Sequence, residues 1–198
     1  APRSITDAFD EQPGFVEWNA DGIYFGGLQK TASHLFRVDP ETGRITRVTA
    51  PDILMAGGFS FTKDGKQIAF SENHVNKDIW IFDTVRGTED RATYEGQNTF
   101  PIWSPDGSRM AFRSDRSGPL NIYMTTGAGS RDVSQLTQGP MDVPSSWTPD
   151  GKELVFTRGS ASIGGSSDIY VVPVDQPNAV RAILATSASE IYPEFSPD

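Results

Sequence analysis

The chain has 198 residues, of which 36% are hydrophobic, 19 are glycine and 14 are proline, a composition that predicts a turn-rich domain. Because the chain has no cysteine, the sequence excludes disulfides, thiolate metal sites and cysteine nucleophiles. The 17 basic and 26 acidic residues give a net charge of -9, which opposes binding to nucleic acid or anionic membranes, and no apolar run approaches the roughly 18 residues of a membrane span.

A short motif recurs along the chain: an aromatic residue, two further residues and then Asp-Gly. The Asp positions are 43, 42, 44 and 48 residues apart, and a period of about 40–50 residues with short strands is typical of β-propeller blades. Glycine supplies the positive φ that a tight hairpin needs, so each complete motif predicts a structural turn. These turns are Asp21-Gly22, Asp64-Gly65, Asp106-Gly107 and Asp150-Gly151, and Asp198 ends a truncated copy.

Each repeat is predicted to contain four antiparallel strands bounded by turn residues. The first strands are expected at 15–18, 57–61, 99–103, 143–147 and 191–195. The second strands are Ile23–Phe25, Ile68–Phe70, Met110–Phe112 and Leu154–Phe156. The third strands are His34–Phe36, Asp78–Trp80, Asn121–Tyr123 and Asp168–Tyr170. The fourth are 44–49, 90–95, 133–138 and 181–186, and no segment has the apolar spacing of a helix.

The sequence therefore predicts an all-β propeller of four full blades, at approximately 15–49, 57–95, 99–138 and 143–186. Residues 3–6 are expected to form the last strand of a preceding blade, and 191–198 the first strand of a following one. An open arc of blades would leave strand edges and apolar faces in water. We therefore expect either part of a larger propeller or a homo-oligomer in which copies complete the ring.

The motifs resemble the WD40-like PD40 repeats of TolB-type propellers, in which an aromatic-Ser-Pro-Asp-Gly turn precedes a strand such as Ile-Ala-Phe. Residues 99–123 fit this pattern nearly throughout. Residues 14–61 look more like the propeller of prolyl-oligopeptidase-family (S9) peptidases, and residues 78–198 more like kinase-associated TolB-like propellers. The resemblance implies the fold, but such blades serve several unrelated functions.

The sequence contains no recognisable catalytic or metal-binding motif. No Gly-x-Ser-x-Gly nucleophile elbow is present, and the nearest segment, 164–168, is better explained as a flexible connector. His34 occupies the position at the start of a third strand that holds Asp or Asn in the other repeats, so we interpret it as structural, and His74 lies in a loop. One carboxylate in each Asp-Gly turn is too few for calcium, so we expect no metal and no cofactor.

The connections between successive blades offer a better candidate site. Each places an acid or an amide shortly before a proline at the start of an innermost strand, where such connections converge on one mouth of the central channel. Converging carboxylates would attract a cation, an amine terminus or a basic protein segment, although a solvated rim is the simpler alternative. The residues concerned are Glu11, Asn98, Asp142 and Glu190.

The favoured function is a non-catalytic binding or scaffold module that holds a protein or peptide ligand at this channel mouth. One alternative is the substrate-gating propeller of an S9 serine hydrolase whose catalytic domain is absent from this sequence. Another is a natural or engineered propeller fragment that assembles into a complete ring. The sequence leaves the compartment open, periplasmic or cytoplasmic.

Overall fold

The computed structural model describes residues 4, 9, 13–19, 22–29, 32–50, 55–73, 77–127, 130–159, 166–191 and 193–195. Within this part of the chain there are strands and turns but no helix, and so no helix long and apolar enough to cross a membrane. The strands form four separate sheets in which every pair of neighbours is antiparallel and consecutive in the chain. The predicted all-β propeller fold is confirmed.

Each sheet is one blade, and its first strand is the innermost. Blade 1 contains β1 (Pro13–Asn19), β2 (Gly22–Gln29), β3 (Ala32–Val38) and β4 (Ile45–Arg47). Blade 2 contains β5 (Met55–Phe61), β6 (Gln67–Glu72), β7 (Ile79–Asp83) and β8 (Thr88–Arg91). Blade 3 contains β9 (Asn98–Trp103), β10 (Met110–Ser114), β11 (Asn121–Thr125) and β12 (Val133–Gln135). Blade 4 contains β13 (Asp142–Trp147), β14 (Glu153–Gly159), β15 (Ser167–Pro173) and β16 (Arg181–Leu184).

The two predicted end fragments have different outcomes. The segment 3–6 lies outside the described residues except for Ser4. Residues 191 and 193–195 are not in a sheet, contrary to the strand predicted over 191–195. Among the described residues, this segment forms no ladder with another strand.

The core is built between blades, where the aromatic residue that ends an inner strand packs against the preceding blade. Trp103 packs with Ala69, Ile79 and Ile81 of blade 2. Trp147 likewise packs with residues of blade 3, and both tryptophan residues are only 7% exposed. Trp18 is the equivalent residue of blade 1, and it is 74% exposed. Among the described residues, no blade precedes Trp18 to cover it as blades 2 and 3 cover Trp103 and Trp147.

Candidate functional site

The connections between blades place three of the predicted mouth residues in equivalent positions. The backbone N–H of Asn98 donates to the carbonyl of Lys77 at 2.6 Å, that of Asp142 to Leu120 at 2.8 Å, and that of Glu190 to Ser167 at 2.7 Å. In every case the acceptor directly precedes the polar residue predicted to begin a third strand in the preceding blade, namely Asp78, Asn121 or Asp168. The fourth predicted residue, Glu11, lies outside the described residues.

Asn98 is fully buried and links two blades through its amide group. Its Nδ2 donates to Oδ1 of Asp78 in blade 2 at 3.3 Å, and its Oδ1 accepts a hydrogen bond from the Arg116 guanidinium at 3.0 Å. Burial lowers the pKa of Arg116. The Asp78 carboxylate also pairs with Arg91 and accepts a hydrogen bond from Thr93. Both the Nδ2 and the Oδ1 of Asn98 are therefore hydrogen-bonded.

Asp142 is also fully buried, and it forms a bidentate ion pair with Arg158. Nε and Nη2 of the guanidinium donate to the two carboxylate oxygens at 2.7 and 2.8 Å. The hydrogen bonds to Asp142 raise the pKa of Arg158. Two parallel hydrogen bonds of this kind fix the orientation of the guanidinium and also compensate the charge of the carboxylate.

The guanidinium groups of Arg116 and Arg158 occupy equivalent places although the residues are not equivalent in the repeat. Arg116 lies over the rings of Phe112 and Tyr123, at 5.2 and 4.9 Å from the ring centroids. Arg158 lies over the equivalent rings, Phe156 and Tyr170, at 5.4 and 5.0 Å. Aligning the two blades by their motifs places Ser114, not Arg116, opposite Arg158. A search by repeat position therefore misses these arginines.

Glu190 differs from the other two mouth residues because no arginine is bound to it. Its Oε1 accepts a hydrogen bond from the hydroxyl of Thr186 at 2.5 Å. Its Oε2 is shielded from solvent and has no hydrogen-bond partner among the described residues. Glu190 thus has an unmet acceptor in the position where Asn98 and Asp142 each hold a guanidinium.

The position that begins each third strand is structural in blades 1 and 2. His34 is buried, and its Nδ1 lies 3.3 Å from the hydroxyl of Thr49. Asp78, at the same position of blade 2, likewise contacts the hydroxyl of a threonine, Thr93. His74 lies outside the described residues. Across the part of the chain that the structure describes, no three His, Asp or Glu side chains are grouped closely enough to hold a metal ion.

A cavity of about 380 Å³ lies between the inner strands of blades 2, 3 and 4, at the ends that the connections between blades enter. Phe59, Phe100 and Pro144 form part of its apolar wall, and Met141 and Glu194 lie at its margin. Phe100 has a φ of +55°, in the left-handed region that bulky residues rarely adopt. Its N–H donates to the hydroxyl of Ser71, and the Arg113 guanidinium lies 4.6 Å from its ring centroid. Such strained positions cluster at binding sites.

Two carboxylates from opposite ends of the described chain, Glu17 and Glu194, interact electrostatically, and Glu194 also lines this cavity. Burial, and to a smaller extent the negative charge of Glu194, raise the pKa of Glu17, on β1, to about 7. Sequence reasoning did not single out either residue. Each directly precedes the aromatic residue of its motif. That pattern alone does not indicate that residues from opposite ends of the described chain interact.

The Asp-Gly turns lie at the other end of the inner strands. Gly65, Gly107 and Gly151 have φ values of +70°, +69° and +68°, as the predicted turns require. Gly22 is different, with a φ of +156° at the start of β2, and Asp21 lies outside the described residues.

A hydroxyl two residues before each aspartate completes these turns. Thr62, Ser104 and Thr148 each donate this hydroxyl to the carboxylate of Asp64, Asp106 or Asp150. A hydrogen bond from Lys66 lowers the pKa of Asp64 to about 2, and hydrogen bonds from Ser104 and Ser108 lower that of Asp106 to about 2. Turn geometry therefore accounts for the recurring aspartates.

Comparison with curated proteins gives relatives of two kinds. The chain is 33% identical over 124 residues to the "Uncharacterized peptidase YuxL" of Bacillus subtilis, an alignment that covers 56% of this chain and 19% of that protein. It is 30% identical over 126 residues to the Tol-Pal system protein TolB of Wolinella succinogenes, covering 63% of this chain and 30% of that one. The chain thus spans less than a third of the length of either relative.

Solved structures show the same fold. TolB from Acinetobacter baumannii superimposes with a TM-score of 0.74 at 22% identity, covering 91% of this chain and 45% of that one. A structure from a study of two prolyl endopeptidases superimposes with a TM-score of 0.64 at 16% identity, covering 89% of this chain and 30% of that one. The family model described as "PD40: TolB beta propeller domain" matches residues 51–198. The chain therefore belongs to the PD40 family of TolB β-propeller domains.

Proposed function

We propose that this propeller is a non-catalytic module that binds a segment of another protein in the central cavity. The observation that carries the proposal is the cavity itself, which combines an apolar wall of Phe59, Phe100 and Pro144 with a carboxylate at its margin, Glu194. Cavities with mostly apolar walls and a few polar groups are the usual form of a ligand site. The strained backbone of Phe100, at the same wall, gives independent support.

The expected ligand segment carries a basic residue next to an apolar one. Glu194 brings negative charge to the cavity, in a chain whose net charge is -9. In this proposal the described mouth residues have different roles. Asn98 and Asp142 support the wall through their arginines, whereas Glu190 contributes charge to the rim. Glu11 lies outside the described residues and stays a sequence prediction.

A peptide selection tests the proposal directly. We expect a phage library of random heptapeptides, selected on the purified protein, to yield peptides with one basic and at least one aromatic or aliphatic residue. Replacing Phe59 by Ser removes an apolar wall, and we expect it to weaken binding of a selected peptide about tenfold or more in isothermal titration. The control is Val85→Ser, which changes an exposed side chain in the turn after β7. Equal affinities for the two variants would contradict the proposal.

We propose that the module has no hydrolase activity of its own. The sequence has no nucleophile elbow, so we expect no hydrolysis of aminoacyl-proline or ester substrates and no labelling by a fluorophosphonate. Labelling of any serine in stringently purified protein would overturn this part of the proposal.

A second candidate is the gate of a larger peptidase, and the similarity to the peptidase of Bacillus subtilis favours it. In that case too the propeller selects substrates and another domain cuts them. The full reading frame distinguishes the two candidates, because a gating propeller needs a Gly-x-Ser-x-Gly elbow encoded beside it.

Ring completion by a second copy is a separate proposal about assembly. Trp18 and Val16 of blade 1 are exposed, and burying such a face would favour association. Light scattering in dilute buffer tests it: a dimer supports self-completion, and a stable monomer contradicts it.

A further inference from the structure

A second cavity, of about 870 Å³, lies between blades 2 and 3, and we name it the inter-blade cavity. One wall is the segment that follows β8, and the other comes from β11, from β12 and from the loop before β11. Blades 2 and 3 are both complete four-stranded sheets, so no further blade is needed to form the cavity. No described residue lines both this cavity and the central cavity.

Positive charge is in excess at the inter-blade cavity. Arg116 and Arg131 line it together with a single acid, Glu95, in a chain whose net charge is -9. Arg131 is exposed, and its side chain has no ion-pair partner among the described residues. The neighbouring acids, Asp115 and Asp132, are not among the described residues that line the cavity. The cavity therefore attracts an anion.

Arg116 lies in the same kind of place as Arg158 but without a carboxylate. Each guanidinium lies over an aromatic pair of its own blade. Asp142 compensates the charge of Arg158 through two hydrogen bonds, whereas the equivalent residue bound to Arg116 is the neutral Asn98. The hydrogen bonds to Asp142 raise the pKa of Arg158, and burial lowers the pKa of Arg116. A bound carboxylate would supply the compensation that Asn98 does not.

The guanidinium of Arg116 also has hydrogen-bonding capacity left for a ligand. Its Nε donates to the hydroxyl of Ser114 at 3.2 Å and its Nη2 donates to Oδ1 of Asn98 at 3.0 Å, and Nη1 has no partner among the described residues. Asp78 and Glu95 act on Arg116 electrostatically without forming an ion pair with it. An incoming carboxylate can therefore accept a hydrogen bond from Nη1 while the two existing bonds remain.

A hydroxyl donor and an aromatic ring complete the site. Ser130 accepts hydrogen bonds from the hydroxyl of Thr126 and from the N–H of Asp132, so its own proton is left to donate. Tyr94 is 58% exposed, and the Arg91 guanidinium lies 4.8 Å from its ring centroid. An exposed tyrosine ring offers a contact surface to an aromatic residue beside the bound acid.

We infer that the inter-blade cavity binds an acidic side chain of a partner protein, with the carboxylate at Arg116, Arg131 adding charge at the rim, and an aromatic neighbour on Tyr94. A carboxylate is the favoured anion because Arg158, in the equivalent place, holds one. The site goes beyond the proposed function and is separate from the central cavity, so either proposal can fail without the other.

The probe is the capped tripeptide acetyl-Phe-Glu-Phe-amide, and its control replaces glutamate by glutamine, a neutral side chain of nearly the same shape. In NMR titrations of the wild-type protein at low salt, we expect the glutamate peptide to bind about tenfold more tightly than the glutamine peptide. Equal binding of the two peptides would overturn the inference. So would tighter binding of inorganic phosphate at the same residues, because the site would then hold a phosphate group.

The arginine side chains report where the peptide binds without any substitution. We expect the glutamate peptide to shift the Nε–H signal of Arg116 and to leave that of Arg158 unchanged, because Asp142 already occupies the second guanidinium. An Arg116 signal that stays unchanged when the protein is saturated with the peptide would contradict the assignment.

Two variants that remove the same charge from exposed positions give a further test. Arg131→Gln is expected to weaken binding of the glutamate peptide about fivefold, since it removes positive charge at the rim. Arg44→Gln, in the turn before β4 of blade 1, is expected to leave binding unchanged. Equal affinities of the two variants would contradict the role of Arg131.

Discussion

The backbone N–H of Phe195 donates a hydrogen bond to the hydroxyl of Ser146 at 3.1 Å. The same bond joins Trp103 to Ser60 between the inner strands of blades 3 and 2, also at 3.1 Å. Phe195 therefore stands where the inner strand of a further blade belongs, although the segment around it is not in a sheet. For a second copy to pack directly on blade 4, its Trp18 would have to displace Phe195.

Replacing Gly107 or Gly151 by Val is expected to lower the free energy of unfolding by about 1–3 kcal/mol, because a β-branched residue is strained at a φ near +69°. A Cβ at Gly107 would lie 3.4 Å from Thr62, an ordinary contact, so the cost comes from the backbone and not from crowding. Urea denaturation measures it. Gly107→Asn is the control, since Asn tolerates this conformation, and an equal loss in both variants would contradict the explanation.

The lowered pKa values of Asp64 and Asp106 predict a loss of stability in acid. Because both values are about 2 in the folded protein, below the usual 3.8, these groups stabilise the fold above pH 4. That stabilisation is lost as the pH falls from about 4 towards 2. We expect the urea midpoint to fall over this range, and to fall less in the double variant Asp64→Asn, Asp106→Asn. Identical pH profiles for the two proteins would be the contrary result.

The raised pKa of Glu17 predicts the opposite dependence of stability on pH. Its pKa of about 7 lies above the usual 4.5, so the unfolded chain releases the proton first and stability falls as the pH rises from about 4.5 to 7. Glu17→Gln should remove this loss, up to about 3 kcal/mol at pH 8, and should have little effect at pH 4. The check is urea denaturation at both pH values. A variant equally stable to the wild type at pH 8 would show that Glu17 is not desolvated.

Breaking the Arg158–Asp142 pair should be costly because it leaves a buried charge. Arg158→Leu is expected to lower the free energy of unfolding by about 3–5 kcal/mol. The double variant Arg158→Leu, Asp142→Asn should recover part of this loss, since Asn98 shows that an amide is accommodated at the equivalent position. Denaturation of the two variants measures the recovery, and its absence would show that packing over Phe156 and Tyr170 is the main contribution.

The sequence predicts the features of this fold that depend on interactions between neighbouring residues. The turns at Asp64, Asp106 and Asp150 are set by neighbouring residues, so the repeated motif predicts them, and the hydroxyls of Thr62, Ser104 and Thr148 were a visible further signal. The equivalent positions of Asn98, Asp142 and Glu190 follow from the repeat as well.

Long-range relationships were not predictable in this way. Arg116 and Arg158 reach equivalent aromatic pairs from repeat positions two residues apart, which only the folded side chains reveal. Glu17 and Glu194 interact electrostatically although they lie at opposite ends of the described chain, and such an interaction depends on the packing of the blades between them. Periodicity predicts the number of blades but not how closely the two ends approach.

Photo-cross-linking tests the central claim, that a protein segment binds in the central cavity, most directly. A selected peptide would carry a benzophenone side chain in place of its apolar anchor, and mass spectrometry would locate the adduct. We predict adducts among the residues that line the cavity, chiefly at Met141, since benzophenones react readily with methionine. Adducts confined to the surface around Lys66 and Arg86, beside the Asp-Gly turns at the other end of the inner strands, would contradict the account.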